Sequence, residues 1–80
     1  MMRIDYDEVA RTKERYPAGT CIRIEYMNDP RPVPPGTEGI VRLVDDMGTI
    51  HCDFKNGRRL GVIPGEDCFY VITREEYDED

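Results

Sequence analysis

No stretch of the chain approaches the roughly 20 consecutive apolar residues that a membrane-spanning helix needs. The start, MMRIDYDEV, carries acids where an export signal places an apolar segment. A cytoplasmic location without a membrane partner is therefore expected. Cysteine is scarce. Cys21, Cys52 and Cys68 form an odd, widely spaced set that makes no disulfide framework. They also lack the closely spaced pairs of a structural zinc site. The lone histidine, His51, adjoins Cys52, and neighbouring strand residues point to opposite faces, so the two do not ligate one ion. No metal and no cofactor is expected.

Positive charge is short as well, with 11 basic against 17 acidic residues and a net charge of −6. The last seven residues, REEYDED, hold one basic and five acidic groups, a net −4, which leaves −2 for the remainder. A nucleic-acid binder usually carries a dense basic patch that releases counterions from phosphates. Arg58-Arg59 and the Arg11, Lys13, Arg15 set are sparse. A nucleic-acid partner is disfavoured, and a neutral or basic protein partner is favoured. The glycines form no phosphate-binding loop, and no activated base or nucleophile elbow is visible, so no enzymatic activity is expected. The carboxylate pairs Asp45-Asp46 and Glu66-Asp67 adjoin Met47-Gly48 and Pro64-Gly65, the setting in which such side chains bond turn backbones rather than act as an acid–base pair.

What the chain does have is pattern. Residues 4–16, IDYDEVARTKERY, read as a helix capped by Asp5 or Asp7, with acids near its start and bases near its end. Its apolar stripe is thin, and Tyr16-Pro17 and Gly19 end it. From Thr20 the period changes to two. Ile22, Ile24 and Tyr26 share one face, then Val41 and Leu43, then Ile50, Cys52 and Phe54, then Leu60 and Val62, with CFYVIT as the last strand. Asn56-Gly57 marks a tight hairpin. Gly61, inside a strand, suggests a bulge or a neighbour pressing on the backbone. Five short strands with regular turns predict a mainly β fold, a small SH3-like five-stranded barrel with a short N-terminal helix. The expected organisation is residues 1–17 as the helix, 18–73 as the barrel and 74–80 as an acidic tail, solvated or paired with a basic partner surface. Closure of the barrel would remove exposed sheet edges.

Four of the six residues from Pro30 to Pro35 are proline. Such a segment cannot enter a ladder and stays stiff and extended. It is either a low-entropy connector or an apolar ledge presented to a partner. The expected partner-binding surface joins Met27, Pro32, Val33 and Pro35 to Tyr26, Arg58, Arg59 and Tyr70. The alternative is nucleic-acid or nucleotide binding on the aromatic face of the barrel.

Read together, the segments YPAGT, MNDP, PPGTEGIV, DDMGTIH, DFKNG and LGVIPGEDCF occur in an order that resembles the bacterial family catalogued as domain of unknown function 4314, over residues 16–72. The resemblance implies a small accessory protein of a bacterium or of its phages and conjugative elements, and carries no assigned activity or functional residue. More loosely, the DFKNG and PGED spacing is similar to SH3-like barrels of the Mind-bomb type.

Overall fold

The computed structural model describes residues 4–79. Asp5 caps the first helix, α1 (Tyr6–Arg15): its carboxylate accepts from the Asp7 and Glu8 amides, both at 3.1 Å. Acidic Asp7 and Glu8 fill the first turn, basic Lys13 and Arg15 the last. Of the stripe, only Val9 is buried; its methyl lies against Gly48, and Lys13 reaches Asp46 at 2.7 Å. The helix therefore docks through one apolar side chain and one surface ion pair.

Five strands follow: β1 (Cys21–Tyr26), β2 (Glu38–Val44), β3 (Ile50–Phe54), β4 (Arg59–Val62) and β5 (Cys68–Val71). All pair antiparallel in one sheet of order β4-β3-β2-β1-β5. The mainly β architecture matches the alternation in the sequence. The first and last strands lie side by side, with β4 and β5 at the two ends of the strand order.

One face of the sheet forms the core, with Ile22, Ile24, Val41, Ile50, Cys52, Phe54 and Val62 buried against one another. Two departures from strict alternation have a common cause. The register slips between Ile24 and Tyr26 in the β1–β5 pair and between Val41 and Leu43 in the β2–β3 pair. Each slip re-aims the chain, so Tyr26 and Leu43, expected inward, are exposed. Gly61 is no bulge. It pairs regularly with His51, and a Cβ there would come within 2.6 Å of the Thr49 methyl. Gly39 is the tighter case. A side chain at this position would meet the Phe54 ring at 2.7 Å and the Asp53 carbonyl oxygen at 2.9 Å.

The proline segment requires a correction. Met27 is 4% and Val33 1% exposed, so neither presents a ledge; both belong to the core cluster. The loop crosses the end of the sheet with its prolines outward and Val33 inward. It returns through a turn in which Thr37 donates its amide (3.1 Å) and hydroxyl (2.6 Å) to the Pro34 carbonyl. Proline second and glycine third, with Gly36 at φ +90°, is the signature of a type II turn. The same chemistry closes Pro17–Thr20, where Gly19 has φ +95°. At the other end of the loop, Asp67 ties the Asn28 and Ile63 amides together, both at 2.7 Å. The turn role expected of Asp67 is thus extended to the proline loop.

The C-terminal residues are also more ordered than a solvated tail. Arg74–Glu79 form a second helix, α2. Thr73 and Glu76 cap it reciprocally: the Glu76 amide donates to the Thr73 hydroxyl and the Thr73 amide to the Glu76 carboxylate, both at 3.0 Å.

If Val33 closes the core, Val33→Ala lowers stability by about 2 kcal/mol in urea titration, the cost of a buried cavity. Pro35→Ala, on the exposed side of the same loop, costs less than about 1 kcal/mol, through the unfolded chain alone. Equal effects at the two positions would contradict the inward placement of Val33.

Candidate functional site

The residues expected to form one partner surface are dispersed. Pro32 and Pro35 are exposed. Arg58 does meet the loop, donating to the Pro32 carbonyl at 3.2 Å, so it fastens the connector. Arg59 lies 3.0 Å from Asp53 on the β4 edge. Tyr70 sits on β5, at the far end of the sheet order from Arg59. Tyr26, exposed at the end of β1, pairs with Cys68 rather than with the arginines. Of this set, Pro32 and Arg58 meet at the surface, and Met27 and Val33 share the core.

Two other clusters stand out. The first is an apolar groove beside α1, lined by Ile4, Tyr6, Val9, Met47, Ile63 and Pro64. Tyr6 and Met47 are 73% and 62% exposed, which is uncommon for side chains of this size placed together. Asp5, Glu8 and Asp46 line it too, so the rim is acidic, with Lys13 held by Asp46. The sequence hid this groove because Ile4, Met47 and Ile63 belong to three separate segments; the one local signal is an apolar Met in the otherwise polar DDMG turn.

The second cluster lies on the sheet face opposite the core. Register sets Arg23 opposite Glu38 on one side and Tyr70 on the other. Glu38 is 3% exposed, a buried carboxylate, and receives the Arg23 guanidinium at 2.8 and 2.5 Å and the Lys55 ammonium at 3.0 Å. Burial of such a charge is tolerated only with close cations. Arg23 also donates to the Tyr70 hydroxyl at 3.1 Å and lies over its ring. These contacts, Tyr70 first and Glu38 next, hold the guanidinium still more firmly protonated than usual. Lys55 additionally donates to the Tyr77 carbonyl and sits 4.1 Å from that ring, so α2 rests on this face.

The groups that suggested chemistry are absorbed by structure. Asp45 accepts from the Met47 and Thr49 amides and meets His51 Nε2 at 2.8 Å. The His51 contact, reinforced by the Thr49 and Met47 amides, holds its carboxyl below the usual range. Burial pushes the Cys52 thiol up to about 12, leaving it un-ionised and inert at neutral pH. Cys21 is buried as well, and Cys68 is exposed. Among the described residues, no group of three or more His, Cys, Asp or Glu side chains is arranged to hold a metal ion.

The antiparallel sheet, its paired glycine turns and the short capped helix define a small β domain with scaffold-forming motifs. The chain belongs to the family described as Domain of unknown function (DUF4314), whose model matches residues 5–72. The match takes in α1 and stops before α2. No curated protein and no solved structure matches the chain.

A thiol reagent at neutral pH modifies Cys68 rapidly, and Cys21 and Cys52 only once the protein unfolds; fast modification of Cys52 would mean that the core is open. For Asp45 the native pKa is depressed, so its stabilisation is present at neutral pH and is lost as pH falls below the ordinary 3.8 and through the native value. Asp45→Asn is therefore less stable at neutral pH and has a shallower acid slope below that point, measured by urea titration across pH. An unchanged slope would remove Asp45 from the acid response.

Proposed function

We propose that the chain is a small non-enzymatic protein-interaction module whose groove beside α1 takes an apolar segment carrying lysine or arginine. The observation that supports this reading is the joint exposure of Ile4, Tyr6, Met47 and Ile63 along a groove rimmed by Asp5, Glu8 and Asp46. Large apolar side chains held together in water cost solvation free energy, and contact with a partner's apolar side chains recovers it. The acidic rim adds steering and selects against acidic partners. The interaction surface is thus moved from the proline loop, whose apolar side chains serve the core, to the helix side of the domain. An accessory role in a bacterium or its mobile element is supported by the family resemblance alone. Nucleic-acid or nucleotide binding has less support, since Arg58 and Arg59 are engaged by Pro32 and Asp53 and the exposed tyrosines Tyr26 and Tyr70 share no basic groove.

A random-peptide library selected on the immobilised full chain and counter-selected on Met47→Asp tests the reading. Enriched peptides are expected to be apolar with basic flanks, to move the amide resonances of Val9, Met47 and Ile63, and to bind Met47→Asp at least about tenfold more weakly, the loss of one central apolar anchor. Binders indifferent to Met47→Asp and Ile63→Asp, or enrichment of acidic peptides at the groove, would overturn it.

A further inference from the structure

We propose that the groove beside α1 consists of two unequal subsites, one for an arginine and one for an aromatic side chain, and that its ligand is a single peptide segment carrying both. The division rests on the groove being a docking surface and goes further by assigning a residue type to each half.

The helix itself separates the two. Asp5, Glu8, Val9 and Thr12 are spaced by three and four and line one hollow of about 230 Å³. Tyr6, Val9, Ala10 and Lys13 repeat that spacing one residue on and line a second, of about 420 Å³. Val9 is common to both stripes and its methyl rests against Gly48, so the hollows flank α1 on either side of its one buried side chain. Ile4 and Met47 also line both, which gives them an apolar border in common. Volumes of this size lie below or near the bottom of the range for small-molecule pockets, and suit single side chains of a partner.

The two differ in charge. Among the described residues that line the first hollow, Asp5 and Glu8 alone are ionisable, beside apolar walls from Val9, Ile63 and Pro64. Asp5 uses its Oδ1 for the Asp7 and Glu8 amides, and a carboxylate accepts through both oxygens. An arginine matches this half: its methylene stem lies along apolar surface with the head in water, and its fork of donors reaches two carboxylates at once. In the second hollow the acid and the base, Asp46 and Lys13, pair with each other at 2.7 Å, so that half is charge-balanced. What it exposes is the Tyr6 ring and the Met47 thioether. A ring packs favourably on both, edge or face to the tyrosine and edge to the sulfur.

The test uses full-length protein and fluorescein-labelled peptides in which one arginine and one phenylalanine are joined by glycine spacers of increasing length, at about 0.05 M salt. For the best spacer, replacing arginine by uncharged citrulline is expected to weaken binding to wild type about three- to fivefold, the effect of an exposed ion pair. It should change nothing in an Asp5→Asn, Glu8→Gln double variant, where asparagine keeps the cap that starts α1. Replacing phenylalanine by serine should weaken binding about tenfold in both proteins, and clearly less in Tyr6→Ser. In wild type, the arginine–citrulline exchange should move the amide resonances of Thr12 and Ile63, and the phenylalanine–serine exchange those of Ala10 and Lys13. An equal citrulline loss in wild type and double variant, or coincident or exchanged sets of resonances, overturns the two-subsite division. If Met47→Asp still abolishes binding in that case, the groove stands as a docking surface and the division alone falls. Binding indifferent to Met47→Asp removes both. If no peptide of the series binds, the division is overturned and the library selection judges the groove by itself. Should the double variant lose its fold by circular dichroism, the wild-type resonances decide alone.

Discussion

A sheet of five short strands has one apolar face and too little chain to cover it, and the structure is organised by that shortage. A domain of this length hides a smaller fraction of its surface than a larger one, so each apolar residue that can be turned inward is needed. Here the missing cover is supplied by a connector. Met27 and Val33 close the end of the core, and the prolines around Val33 restrict the unfolded chain while leaving no backbone donor unpaired at the exposed positions. Stiffness and burial are thus one device. A flexible loop would lose more entropy in placing a single valine, and an all-proline ledge would cover nothing.

The opposite face solves a different problem. Glu38 opens β2 directly after the Pro34–Thr37 turn, and the register that this turn imposes puts its carboxylate across from Arg23 and within reach of Lys55. Its burial is no argument for stability in itself, since well-packed apolar residues often serve as well as a buried ion pair. What it fixes is position: a slip of β1 against β2 by one residue would take Arg23 away from the buried carboxylate. The same arrangement aims the Arg23 guanidinium at Tyr70 and the Lys55 ammonium at Tyr77, so the ionic pair that locks the sheet register also builds the surface on which α2 rests.

The fold was readable where a signal is local and repeated. Alternation gave the five strands, Asp5 and Tyr16-Pro17 bounded α1, and the glycines following Ala18, Pro35 and Asn56 marked turns. The carboxylates of Asp45 and Asp67 could be assigned to turn backbones for the same reason. Failures came where one inserted residue or one distant contact decides the outcome. A slip next to Ile24 or Val41 reverses the direction of Tyr26 and Leu43, and alternation contains no trace of it. Whether Val33 faces in or out depends on the room left in the core cluster, which no local pattern encodes. The burial of Glu38 has no local signal because its partners, Arg23 and Lys55, are remote in sequence. The tail is different. Thr73 and Glu76 carry the spacing of a reciprocal cap, a signal present in the sequence but masked by the run of acids around it.

The distribution of the family's motifs bears on where function lies. YPAGT, PPGT, DDMGT, KNG and PGED form turns or tie one loop to the next, with Thr20 and Thr37 donating to proline carbonyls and Asp45, Asn56 and Asp67 accepting from backbone amides. Residues so engaged maintain a shape and have little left with which to recognise anything. Recognition then falls to exposed apolar side chains that no turn uses, Tyr6, Met47 and Ile63 beside α1. The acidic C-terminal helix has its own place on the other face, through Tyr77 against Lys55.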